Sequence, residues 1–85
     1  MILAETVDNM LGGYKDRFIA EYEQLTIRLL KLQNTISTYK NGELDFDPET
    51  PIEVLEAQEE TMNLYKEILE KRAQYEKITL PEVTL

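Results

Sequence analysis

A guanidinium stands where an apolar side chain is expected. In the stretch MNLYKEILEKRAQY, Met62, Tyr65, Ile68, Leu69 and Tyr75 fall on one side of a helix, and Arg72 falls with them. An unpaired cation in such a place is costly. Two uses are open to it. Its stem packs on Ile68 and Tyr75 while its head reaches an acid on a facing helix, such as Glu21. Alternatively, its planar fork holds a phosphate in a pocket between chains. Gln58 follows the same logic, as a core amide that fixes register or as a ligand contact. A second cluster, Tyr14, Lys15 and Arg17, comes directly after Gly12 and Gly13. Backbone N–H groups at a helix start, two cations and a ring suit a phosphate and a stacked base; ordinary decoration of a helix start is the plainer reading. GGYKDR is too short for a glycine-rich phosphate loop and follows no strand. Tyr22, Tyr39, Tyr65 and Tyr75 are helix-seam aromatics first, each with a hydroxyl that can line a pocket.

Other chemistry is closed to this chain. It has no Cys and no His. Disulfides, the usual zinc ligand sets, a Ser–His–Asp triad and a Cys nucleophile are excluded with them. Glu56, Glu59 and Glu60 could suggest a divalent cation, but their spacing fits a solvated helix face and the EF-hand pattern is missing. No metal, no cofactor and no enzymatic activity are expected.

The net charge of −8 is unevenly spread. Residues 1–40 and 61–85 each balance their acids and bases. The excess sits in residues 41–60, where Glu43, Asp45, Asp47, Glu49, Glu53, Glu56, Glu59 and Glu60 face no basic residue. Such a block repels duplex nucleic acid and leaves the remaining surface free to take an anion.

The elements that must position these residues are helical. Phe18, Tyr22, Leu25, Leu29, Leu32, Ile36 and Tyr39 step by alternating fours and threes, a heptad seam along a helix over about residues 14–40. Ile19, Ile27 and Leu30 widen it. Asn41 and Gly42 suit the left-handed cap that ends it. Thr50-Pro51-Ile52-Glu53 reads as a capping box opening a second helix over about residues 51–78, with Asp47-Pro48 as an earlier possible start. Its seam runs Leu55, Gln58, Met62, Tyr65, Leu69, Arg72, and Pro81 stops the pattern. The chain divides into an N-terminal arm and Gly–Gly hinge (1–13), a helical hairpin (14–78) and a C-terminal tail (79–85) that lies on a neighbouring chain or frays. The fold class is all-α, an antiparallel hairpin. Two helices cannot cover two broad apolar faces, so the hairpin is expected to assemble into a homo-oligomeric bundle, a dimer or a ring of dimers. No stretch approaches the length of a membrane span. MILAETVDNML lacks the basic flank of a signal peptide, which points to the cytoplasm.

YKDRFIAEYEQLTIRLLKLQNTI, the acidic loop and LEAQEETMNLYKEILEKR together resemble a family of small phage-encoded helical hairpins related to a protein of crAss-like bacteriophages. The positions that carry the resemblance are Arg17, Glu21, Leu25 and Leu32 in the first helix and Gln58, Met62, Tyr65 and Arg72 in the second. It spans residues 14–75 and implies a hairpin fold, with no activity attached. In shape, though not in motif, the chain is also similar to phage helical oligomers that sequester cyclic nucleotide signals. The functional expectation is a non-enzymatic anti-defence protein, in the host cytoplasm, that sequesters a small anionic nucleotide signal of the cyclic oligonucleotide type between subunits. Arg72 with Tyr14, Lys15 and Arg17 would grip phosphates, and Tyr65 or Tyr75 would stack on a base. Two other readings stay open. One is an acidic inhibitor that mimics nucleic-acid charge; the other is a structural coiled-coil adaptor.

Overall fold

The structure, a computed structural model, describes residues 13–44 and 48–85. The N-terminal arm, Gly12 of the hinge, and Asp45 and Asp47 of the acidic block lie outside the described residues. Two helices make the architecture, α1 (Tyr14–Lys40) and α2 (Ile52–Glu76), packed side by side as a hairpin. The molecule measures 47 × 22 × 19 Å. The two short dimensions are those of a helix pair, so the core is a single layer of side chains.

The helix ends follow backbone rules. Gly13 has φ 95°, a region closed to most side chains, and its carbonyl accepts the first helical bond from Arg17 N–H at 3.3 Å. At the other end of α1, Gly42 takes φ 70°. That turn lets the Gly42 and Glu43 amides bond back to the Tyr39 and Thr38 carbonyls at 3.0 and 2.9 Å, while Asn41 itself stays right-handed. The expected capping box at α2 is not made. Pro51 is the N-cap, and no side chain bonds to the free amides there. Lys77 ends α2 in the left-handed conformation, φ 58°, ψ 44°, and Ile78 N–H closes the turn on Ala73 C=O at 2.9 Å.

The first seam follows the predicted heptad spacing as far as Ile36, with Leu32 half-buried, but Tyr39 at its end is exposed because it lies beyond the packed part of the hairpin. Phe18, Tyr22, Leu25, Leu29 and Ile36 are buried, and Thr26 beside them satisfies its hydroxyl on the Tyr22 carbonyl at 2.8 Å. The second helix is turned from its predicted seam. Leu69 and Ala73 are buried, with Leu55, Met62 and Lys66 half-buried, whereas Gln58, Tyr65 and Arg72 are exposed. The reason is that Lys66 can lie inward. Its stem packs while its ammonium bonds Glu70 at 3.0 Å and sits 5.6 Å from the Tyr22 ring centre.

The described tail packs on its own hairpin rather than fraying. Ile78 joins Phe18, Tyr22, Leu25, Leu69 and Ala73 in one cluster, and Leu80 and Val83 pack against it. The left-handed turn at Lys77 aims the chain back across the hairpin, so the tail buries its apolar side on its own core.

Candidate functional site

Two places bring cations and aromatic rings together. The first is the open end of the hairpin. Tyr14 and Phe18 lie one turn apart on α1, with ring centres 6.1 Å apart and tilted by 55°. Arg72 of α2 places its guanidinium 4.9 Å from the Phe18 ring centre, donates to the Tyr14 hydroxyl, and bonds Glu76 on its own helix at 3.0 Å. Its partner acid is thus Glu76 rather than Glu21, which lies further off and adds a weaker electrostatic pull. The Tyr14 hydroxyl and the Arg72 guanidinium together hold the Glu76 carboxyl below its ordinary pKa, with Lys15 contributing at longer range. Burial, then Glu76, pushes the Tyr14 phenol up. The arrangement is a closed set of partners: cation, carboxylate, hydroxyl and ring. It ties helix to helix.

One turn further in, a second set repeats the logic. Tyr22 donates to Glu70 at 2.7 Å, and Lys66 donates to the same oxygen at 3.0 Å. These bonds lower the Glu70 pKa, the Tyr22 bond first. Among the described residues, no buried side-chain nitrogen or oxygen lacks a partner.

The second place is a groove between the helices, of about 590 Å³, a volume suited to a small ligand. Glu21, Gln24, Leu25, Arg28 and Lys31 line it from α1, and Gln58, Met62 and Tyr65 line it from α2. The rotation of α2 creates it: Gln58 and Tyr65, turned out of the seam, become one wall. No hydrogen bond or ion pair ties the Arg28 guanidinium or the Lys31 ammonium to another described residue. Both side chains are three residues apart on one face of α1, so they address the same space. Leu25 and Met62 supply an apolar floor, Gln24 and Gln58 supply amides, and Tyr65, 42 % exposed, supplies a ring and a hydroxyl. Glu21 is the one acid in the lining, and with two cations the groove is net positive.

The predicted site residues therefore part company. Tyr14 and Arg72 meet each other, with Lys15 close by in charge. Tyr65 sits in the groove, and Arg17 lines a shallower depression with Ala20, Glu21 and Gln24. Tyr75 is 87 % exposed and faces away from both. Arg28 and Lys31 were visible in the sequence as cations one turn apart on α1; the missing signal was the phase of α2, which decides that they look into a groove. Among the described residues, no group of His, Cys, Asp or Glu is arranged to hold a metal ion, and no helix is long and apolar enough to cross a membrane.

Fold and groove define a class: a small helical hairpin with an open, positively charged cleft between its helices. Residues 12–75 match the Sequestin family model, and the chain belongs to that family. No curated protein and no solved structure matches it.

Proposed function

We propose that this protein sequesters a small anionic ligand, most concretely a nucleotide signal of the cyclic oligonucleotide type, without transforming it. The observation that carries this is the pair Arg28 and Lys31, two cations with no partner among the described residues, beside a tyrosine ring and two amides in one groove. Charge-assisted bonds from the pair suit phosphate oxygens. The Tyr65 face suits a base, and the amides of Gln24 and Gln58 suit its edge. The family name, which denotes sequestration, supports the reading. So does the shortage of catalytic groups, since stoichiometric capture needs affinity alone. The resemblance of the hairpin to phage proteins extends it to a role against bacterial defence in the host cytoplasm. Within this reading the phosphate grip moves from Arg72, whose bonds are already used, to Arg28 and Lys31.

Titration calorimetry of the purified protein against a panel of linear and cyclic nucleotides tests it. Saturable heat with at least one member, lost in the Arg28→Ala/Lys31→Ala variant, supports it. No heat with any member overturns it.

A second reading rests on the acidic face of α2, where Glu56, Glu59, Glu60 and Glu67 lie together around Asn63 and Leu64. That face suits a basic protein surface that normally binds nucleic acid. Replacing Glu53, Glu56, Glu59 and Glu60 by glutamine would then abolish inhibition while leaving nucleotide heat intact.

A further inference from the structure

The groove between the helices carries one charge of the wrong sign for an anion. Its exposed α1 wall runs Glu21, Gln24, Arg28, Lys31, so the acid stands toward the open end of the hairpin and the two cations toward the bend. Steps of three, four and three keep these side chains on one stripe of the helix. Glu21 and Arg28 are two turns apart, roughly 10 Å along the axis. The contacts of Tyr22 with Glu70 and of Lys40 with Glu56 set the register of the helices, and that register puts Tyr65 level with the middle of the stripe.

An acid here works against affinity, because it repels the phosphates that Arg28 and Lys31 attract. No structural use explains its place. Among the described residues no hydrogen bond or ion pair holds Glu21, and Arg72, which feels its charge, already bonds Glu76. A carboxylate is an acceptor only, with two oxygens side by side. It suits two neighbouring donors and repels a lone pair.

We propose that Glu21 makes the groove selective for guanine, a selectivity that rests on the groove being a nucleotide site. Guanine alone among the common bases carries two donors side by side on its pairing edge, the ring N1–H and the N2 amine. With phosphates on Arg28 and Lys31 and the base stacked on Tyr65, that edge turns toward the open end, where Glu21 accepts from both donors. Gln24, one turn along, is placed to donate its amide N–H to the guanine O6. Adenine and cytosine each turn a ring-nitrogen lone pair toward the same carboxylate, and uracil sets carbonyl oxygens on both sides of its single N–H. A ribose diol also offers two donors, but in a cyclic oligonucleotide one of those oxygens is spent in the phosphodiester.

Calorimetry with guanine, hypoxanthine and adenine nucleotides tests this, each as the linear diphosphate and as the 3′,5′-cyclic dinucleotide. The guanine form should bind roughly tenfold or more tightly than the adenine form. Hypoxanthine keeps N1–H but lacks the amine, and should fall between them. Glu21→Gln should weaken the guanine form about tenfold and tighten the adenine form, because glutamine pairs with adenine and a repelling charge is gone. The melting midpoint should hold, since Glu21 is exposed. Adenine binding as tight as guanine or tighter, or a Glu21→Gln variant that leaves their ratio unchanged, overturns the selectivity while nucleotide capture stands. No heat with any nucleotide removes capture and selectivity together.

Discussion

The open end of the hairpin and the groove at its middle use the same materials to opposite effect. Each sets an arginine near a ring in the space between the helices. At the open end, Arg72 finds Glu76, the Tyr14 hydroxyl and the Phe18 face. In the groove, Arg28 has Lys31 for its neighbour, and Tyr65 presents itself half-open to water. A cation beside a ring with an acid in reach becomes a strut. The same cation without one stays available to something negative from outside. Residue type does not separate the two cases; the nearest carboxylate does.

The comparison breaks first on its rings. Phe18→Ala empties the tied end and should cost about 3–5 kcal/mol, most of what a domain of this size commands; loss of helical signal at room temperature is the expected reading. A folded variant would mean that the tied end is not what holds the hairpin. Next come the groove cations. Arg28→Ala/Lys31→Ala removes two charge-assisted bonds and should weaken binding of the best nucleotide by roughly a hundredfold or more, with the melting midpoint unmoved. Tyr65→Ala should weaken the same binding by about tenfold and also leave the fold intact, the reverse of Phe18→Ala. Arg72→Met keeps the stem and removes the strut. Thermal melting should show a loss of about 1 kcal/mol, roughly 4–8 °C, while calorimetric binding stays as it was. A large binding loss in that variant would return the phosphate grip to the open end.

The smallest effect is in pH. Bonds from Tyr22 and then Lys66 hold the Glu70 pKa below its ordinary 4.5. A carboxylate depressed on folding contributes stability above its unfolded pKa, and that stability drains away as pH falls through the folded one. Burial and the bond to Glu70 raise Tyr22, and Glu70 raises Lys66. Their share is present below about pH 10 and is lost on the alkaline side. Denaturant midpoints across pH should therefore sag at both extremes, and Glu70→Gln should flatten the acid sag without touching the groove.

Much of the hairpin is legible in the residues. The alternating threes and fours from Phe18 to Ile36 place α1 and its buried line, and Gly42 places its end. The phase of α2 is harder to read. Leu55, Met62 and Leu69 belong to two possible lines, one through Tyr65 and Arg72 and one through Lys66 and Ala73. Hydropathy favours the first. The structure takes the second, because a lysine stem packs like an alkane once its ammonium has Glu70 and the Tyr22 ring to rest on. That single choice turns Gln58 and Tyr65 outward and opens the groove, so the site could not be read before the phase was known. The tail eluded the sequence for a related reason. A left-handed lysine at residue 77 is disfavoured locally, and the burial of Ile78 behind it is a tertiary gain.

That buried isoleucine has a mechanical consequence. An apolar cluster gathers Phe18, Tyr22 and Leu25 with Leu69, Ala73 and Ile78, at the mouth of the hairpin rather than at its bend. Toward the bend the buried line thins to Leu29 and Ile36, with the surface pair Lys40 and Glu56 beyond them. Such a clip is shut by its jaws. Lengthening the connection around Glu43–Thr50 should be forgiven, and deuterium should enter the amides near Lys40 and Ile52 long before those near Tyr22 and Leu69.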